Sequence, residues 1–227
     1  MALNINGTTG ISGVDGSVSA PALTGTDSNT GITFPSADTI KFATGGVERM
    51  SITNSGVSGI STGKILQVVA TNITATSSVS FSYDGARNAT PASVTITSSA
   101  ANSKFIVSGS ISGEGTIEDY QIAFVLRRII GGSATDINVG DADGSRIRVT
   151  AMHAQGYITS NQATTPSTSV IAPYLDSPSQ SSGTAITYRI DITGSGAGGT
   201  YYFGRTKDNT NNGTNELLPN YITVMEI

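Results

Sequence analysis

Between Thr30 and Ile52 the chain reads TGITFPSADTIKFATGGVERMSI, two short alternating runs on either side of a glycine pair. Ile40 and Phe42 lead into Gly45-Gly46, and Met50 and Ile52 follow it. Period-two alternation around two glycines predicts a hairpin with one apolar face. A lone two-stranded ribbon is marginal in water, because its apolar face has nothing to pack against. The first sixty residues show no helical pattern and only two aromatics, Phe34 and Phe42. The cover this ribbon requires is therefore further copies of the same chain. Phe34, Ile40, Phe42, Met50 and Ile52 are the candidate contacts of such an assembly.

Composition narrows the class. Charged residues make up 12% of the chain, about half the usual share. Ser, Thr, Asn and 27 glycines stand in their place. The apolar residues are mostly Ile, Val and Ala in short runs, the composition of an all-β protein with many turns. The net charge is −4, and the densest basic feature is the pair Arg127-Arg128. A phosphate backbone would be repelled overall, so nucleic acid is not an expected partner. The absence of cysteine excludes disulfides, thiolate metal sites and a cysteine nucleophile. The opening MALNINGTTG has neither a basic nor an apolar signal region, and no apolar run approaches about 18 residues. Neither a signal peptide nor membrane insertion is expected. The expected product is made in a cytoplasm and leaves, if at all, by lysis.

Two parts are expected. Residues 1–60 are punctuated by glycine at short intervals, which permits only brief extended pieces. They read as a stalk, ending in the linker Asn54–Gly63. Residues 61–227 carry longer strands: Ile65–Thr71, runs around Val79–Tyr83 and Val94–Ile96, Lys104–Ser112 and Tyr120–Ile130. Shorter candidates are Asp136–Val139, Arg146–Met152 and Val170–Leu175; Ile186–Ile192, Thr200–Arg205 and Tyr221–Ile227 follow. A two-sheet jelly-roll sandwich (TNF/C1q-like) fits this length and spacing. The final YITVMEI is apolar on both faces up to the last residue. A terminus frays unless tied down, so Met225 and Ile227 join the candidate self-interface.

Few residues invite chemistry. His153 is the single histidine, and without a nucleophile elbow it reads as structural. Asp141-Ala-Asp143-Gly opens like a calcium loop, but Met152 stands where the closing glutamate belongs. That run reads as a turn, and no metal or cofactor is assigned. Glu114, Glu118 and Asp119 lie beside Gly113 and Gly115 and read as a solvated loop rather than a glycosidase pair. Tyr201, Tyr202, Phe203 and Arg205 form an aromatic-basic cluster on one strand. Alternation puts Tyr201 and Phe203 on one face and Tyr202 on the other. The cluster leads into the polar loop Thr206–Glu216, and loops carry recognition when a rigid scaffold positions them. Tyr201, Tyr202, Arg205, Asn209, Asn211 and Asn212 are the candidate ligand contacts.

Several stretches carry a resemblance. NGTTGISGVDGS and PALTGTDSNTGITFPSADTIKFATGGVERMSI resemble the repeat that opens tail-fibre and head-fibre proteins of tailed bacteriophages, those of cyanobacterial and other aquatic hosts above all. ILQVV from Ile65, YLDSP from Tyr174, AITYRI from Ala185, TYYFGRT from Thr200 and the closing ITVMEI resemble the knob that follows such repeats. The resemblance implies a homotrimer in the virion. Its N-terminus would dock on tail or capsid proteins, and its knob would meet host polysaccharide or lipopolysaccharide. It implies no enzyme. The repeat occurs about once, so the stalk is short, which also suits a decoration protein that stabilises the capsid.

Overall fold

The computed structural model describes residues 15–59, 65–83, 85–117, 121–153, 166–211, 213 and 215–227, with the backbone of 4–6 and 10–12. Among these residues there is no α-helix, and so none long and apolar enough to cross a membrane. The chain divides into two compact units, residues 1–64 and 65–227, each described by itself.

The first unit is built from very short strands. β1 (Asn4–Asn6) pairs with β2 (Gly10–Ser12), and β3 (Gly16–Ser17) with β4 (Ala20–Pro21). A five-stranded meander follows: β5 (Leu23–Thr24), β6 (Gly31–Thr33), β7 (Ile40–Thr44), β8 (Val47–Thr53) and β9 (Gly56–Ser58). The expected hairpin is its centre. Gly45 and Gly46 turn with φ of 60° and 74°, the left-handed pair that a tight two-residue hairpin loop requires. The ribbon is wider than the sequence pattern indicated, because β5, β6 and β9 are too short to display a period. A bulge at Arg49 sets the register. With Arg49 unpaired, Phe42 faces Met50 and Ile40 faces Ile52. Without that extra residue every apolar side chain beyond it would change face.

The second unit is a two-sheet sandwich of jelly-roll character. Its strands are β10 (Gln67–Ile73), β11 (Ser77–Phe81), β12 (Ser93–Thr97), β13 (Phe105–Gly115), β14 (Ile122–Ile130) and β15 (Ser133–Asp136). β16 (Ala151–Met152), β17 (Ser167–Asp176), β18 (Ala185–Gly194), β19 (Gly199–Phe203) and β20 (Asn220–Glu226) complete it. The long strand β13 organises one sheet. β17 lines one side of it, and β20 and β19 lie end to end along the other, backed by β10 and β11 respectively. The second sheet runs β12-β18-β14-β15, with β16 also on β14. All pairings are antiparallel, so inward and outward residues alternate. Phe105, Val107, Ile111, Tyr201, Phe203 and Val224 from the first sheet meet Ile96, Phe124, Leu126, Tyr188 and Ile190 from the second.

Two expected strands differ. Ser133–Asp136 pairs with β14, ahead of the expected Asp136–Val139. The Gly131-Gly132 turn, with φ of 56° and 84°, folds the chain back at once and leaves no length to spare. Of Arg146–Met152 only Ala151–Met152 is strand, the preceding residues being a loop whose Thr150 Oγ1 accepts the Leu126 amide at 2.8 Å.

Polar side chains tie the sheets where the core ends. Asp176 at the close of β17 accepts Arg128 at 2.7 Å and the Tyr188 hydroxyl at 2.8 Å, both from the facing sheet. Burial, then the Asp176 carboxylate, pushes the Tyr188 phenol above its ordinary range. On the outer side of β14 and β18, the fully buried Asp191 accepts Arg127 at 3.2 Å and two nitrogens of Arg189. Arg127 Nε also lies 2.9 Å from Asp136, close enough for an ion pair though not aligned as a hydrogen bond. Asp136 pairs in turn with Arg87. Such a pair loses most when one partner is removed, because the other stays buried and uncompensated.

Candidate functional site

The recognition candidates gather where β19 leaves the first sheet. Phe203 ends the strand and Gly204, at φ 71°, turns the chain outward. The base of the loop beyond is pinned three times. Gly204 donates to Ser112 O at 2.8 Å, Leu218 donates to Gly204 O at 3.0 Å, and Asn220 Oδ1 accepts the Ser112 amide at 2.6 Å. A loop held at both ends keeps its tip in a defined place.

At the exit, the Arg205 guanidinium lies 4.2 Å from the centre of the Tyr202 ring. Its Nη1 donates to the carbonyls of Thr206 at 2.8 Å and Lys207 at 3.1 Å. The stack is therefore fixed, and one face of the ring is occupied. A planar ligand reaching this point meets the guanidinium rather than the bare ring. Tyr201 is corrected: it lies in the core, fully buried, and is no surface contact. The strand's own alternation sends Tyr201 and Phe203 inward, where their rings are 4.8 Å apart, while Tyr202 faces out.

The loop itself encloses an open cleft of about 330 Å³. Asn209, Asn211, Asn215, Glu216 and Leu217 are among its lining. Asn209 holds φ at 46° in the left-handed region, which asparagine tolerates. Asn215 Nδ2 donates to Thr210 O at 2.9 Å and to Thr210 Oγ1, which closes the tip on itself. Asn209 and Asn211 are exposed, and Asn212 lies outside the described residues. Amide side chains both donate and accept, so the asparagines can match vicinal hydroxyls, with Glu216 adding one carboxylate to the lining.

Glu114 is a residue whose place the sequence concealed. Its flanking glycines suggest a loop, yet Gly113-Glu114-Gly115 lies within β13 and Glu114 is buried. It accepts the Lys207 amide at 2.7 Å and so anchors the start of the loop that follows β19. The glycines are there for packing. A Cβ at Gly113 would overlap the Tyr202 carbonyl, and one at Gly115 the Ile122 side chain. Glu118 and Asp119 lie outside the described residues.

The other chemical candidates sit apart. His153 is buried with its Nδ1 3.2 Å from Ser169 Oγ and 3.5 Å from Tyr201 OH, edge-on to Phe124. Burial lowers its pKa to about 4. Asp141 and Asp143 are exposed, and Asp143 pairs with Arg146 at 2.9 Å. Among the described residues no three potential ligands converge on a metal-sized space.

The candidate self-contacts divide between the units. In the first, one row runs Leu23-Ile32-Phe42-Met50 across β5 to β8, and a second runs Ile40-Ile52-Val57. Together they form one apolar sheet face. Phe42 and Met50 are half-buried, whereas Ile40, Ile52 and Val57 are 37%, 38% and 55% exposed. The opposite face carries Thr33, Ala43 and Ser51, all buried. Phe34, Ile40 and Ile52 floor a shallow cleft of about 400 Å³ with a polar rim of Asp38 and Asn54. In the second unit, Met225 and Ile227 fall on the outward side of β20, half-buried and exposed respectively.

No protein-family model matches the chain, and no curated protein matches it. Among solved structures it is similar to the VP2 subviral particle of infectious bursal disease virus, at TM-score 0.33 and 10% identity over 83% of this chain and 46% of that one. It is likewise similar to the Gt strain of that virus, at TM-score 0.31 and 15% identity over 94% of this chain and 53% of the other. The chain thus spans about half the length of the solved chains it matches. The likeness is too slight to carry a function across.

Proposed function

We propose that this chain is a structural protein of a virus particle, and in finer form a short homotrimeric fibre of a tailed phage. The observation that carries the reading is the apolar face of the β5-β9 sheet, left about half exposed in a single chain. Other copies of the chain would cover it. The first unit then serves as a stalk docked on tail or capsid proteins. The second presents Arg205, Tyr202 and the Asn209–Leu217 cleft to uncharged or weakly acidic sugars of the host surface. Three copies raise weak single-site binding through avidity. The reading assigns no catalysis and places the protein in the virion.

The test is adsorption. Arg205→Ala and Asn211→Ala, both on the loop surface, are expected to lower attachment of purified protein to host cells by about tenfold at unchanged melting temperature. Equal attachment by the variants would remove the recognition role. A second reading, a capsid decoration protein, is favoured by the shortness of the first unit, whose meander occupies Leu23–Ser58. Antibody labelling confined to the head of the particle, with host adsorption intact after the protein is stripped, decides for decoration.

A further inference from the structure

On its outward side the first sheet of the second unit sets three features in line along β13. Tyr221 of β20 lies opposite Ser110, and Tyr202 of β19 lies opposite Glu114. Midway between them is Ser112, where the base of the loop after β19 is pinned. The Ser112 carbonyl accepts the Gly204 amide, and the Ser112 amide donates to Asn220. The loop and its cleft therefore rise from a point between two outward tyrosines. Four residues of extended strand, about 13 Å, separate the two ends. Arg205 is stacked on Tyr202 at one end. At the other, Tyr221 is 43% exposed. Its cross-strand partners are exposed Asn72 on β10 and buried Ser110 on β13, and Thr223 follows on the same face. Amide and hydroxyl groups thus flank an open aromatic side chain, and neither cross-strand partner is charged. Exposed Lys104 shares this face but stands just ahead of β13, six residues from Ser110.

We infer that Tyr221 is a second stacking position, and that the ligand is an oligosaccharide laid along β13 rather than a single terminal sugar. A sugar ring has a face of C–H bonds, which packs on the electron-rich face of an aromatic ring. The hydroxyls at its rim donate and accept, as the Asn72 amide does. Charge favours a neutral sugar at this end, because no cross-strand partner of Tyr221 could hold a phosphate or carboxylate. An acidic sugar is better placed at the other end, beside Arg205. A separation of about 13 Å is more than one sugar ring spans, so only a chain of several sugars engages both tyrosines. Two weak contacts joined through one ligand reinforce each other, since the second forms at high effective concentration. The inference rests on the reading of the loop after β19 as a sugar-binding site, and it names the length class of glycan that the site takes.

The experiment uses surface polysaccharide from a host strain to which the purified protein attaches, partly hydrolysed and separated by length. Calorimetry measures the binding of each length fraction to four full-length proteins: wild type, Tyr221→Ala, Tyr221→Phe and Arg205→Ala. Wild type is expected to bind long fragments more tightly than single sugars and disaccharides. In Tyr221→Ala that gain with length should shrink by roughly tenfold. Tyr221→Phe keeps the ring and should restore the gain. Arg205→Ala should weaken short and long fragments together. A wild type that binds single sugars as tightly as long fragments overturns the inference and leaves the recognition role standing. So does a Tyr221→Ala variant that keeps the full gain with length. A loss in Tyr221→Phe equal to that in Tyr221→Ala would show that the ring is not the contact, and overturns stacking there. If Arg205→Ala matches wild type at every length, or if no fragment binds, the recognition reading itself fails and the inference falls with it.

Discussion

Asp176 shows how much rests on single buried groups. It is the shared acceptor of Arg128 and Tyr188, both presented by the opposite sheet. Asp176→Ala leaves a phenol and a guanidinium desolvated and unpaired. The expected loss is about 3 kcal/mol, with a smaller loss for Asp176→Asn, read from urea unfolding. His153 makes the matching case for pH. Its folded pKa is held near 4 by burial, against about 6.5 in an unfolded chain. Between those values the unfolded chain binds a proton that the folded chain refuses. Stability is therefore complete above about pH 6.5 and falls as the pH drops toward 4, by about 3 kcal/mol in all. Glu226 acts in the same direction at lower pH. Burial alone would raise its pKa, but hydrogen bonds from Ser103, Gln67 and Ser99 outweigh that and hold it below the ordinary carboxylate range. Its contribution is present above the unfolded carboxylate pKa and is lost as acid protonates the folded group. In His153→Gln the slope between pH 6.5 and 4 should flatten while the acid limb below 4 remains. An unchanged slope in that window would show that His153 is not its source.

At the scale of elements, what the sequence displayed was whatever had a period. The β18 strand alternates Ile186, Tyr188, Ile190 and Ile192 against Thr187, Arg189 and Asp191, and all four of the first set are core. The β7-β8 hairpin was legible from Ile40, Phe42, the glycine pair, Met50 and Ile52. Strands of two or three residues were not, since two residues hold no pattern, and so the five-stranded meander appeared as a ribbon of two. Glycine misled in the other direction. Gly113 and Gly115 resemble loop residues, yet they sit in β13 because neighbouring backbone and side chains leave no room for a Cβ. The anchoring of the loop after β19 by Glu114 was hidden for the same reason, as it depends on an approach of Lys207 from far along the chain that no local spacing encodes. Tyr202 and Arg205 were legible as members of one aromatic-basic cluster; Tyr201 was counted with them although the alternation of β19 turns it inward with Phe203. A prediction belongs to this scale. Gly113→Ala, with φ at 154° and the Tyr202 carbonyl in the way, should force β19 off β13 and cost roughly 3 kcal/mol or more. Hydrogen exchange should show the loss concentrated at β19 and the base of the loop. Uniform exchange across the sandwich would mean that β19 is not a separable element.

For the whole molecule, the distribution of apolar surface says more than any side-chain cluster. The second unit has a filled core of its own, with Tyr188, Tyr201, Phe105 and Phe124 fully buried. The first unit has none of comparable size. Among its described residues the small Ala43 is buried, beside buried Thr33 and Ser51, while its larger apolar side chains lie on the face left open. A sheet built in that way is stable only to the extent that something covers it. Stability of the first unit should therefore depend on protein concentration, as it does for any fold completed by association. Light scattering at micromolar concentration is expected to give three times the chain mass of 23.1 kDa. On dilution, protease cleavage within residues 15–59 should accelerate before the second unit is touched, since an uncovered meander opens more readily than a packed sandwich. Ile40→Lys should bring that cleavage to higher concentration, because the lysine removes part of the cover without disturbing the hairpin turn. A first unit whose protease resistance is independent of concentration, in wild type and variant alike, would mean that the meander stands without a partner, and the case for assembly through it would end there.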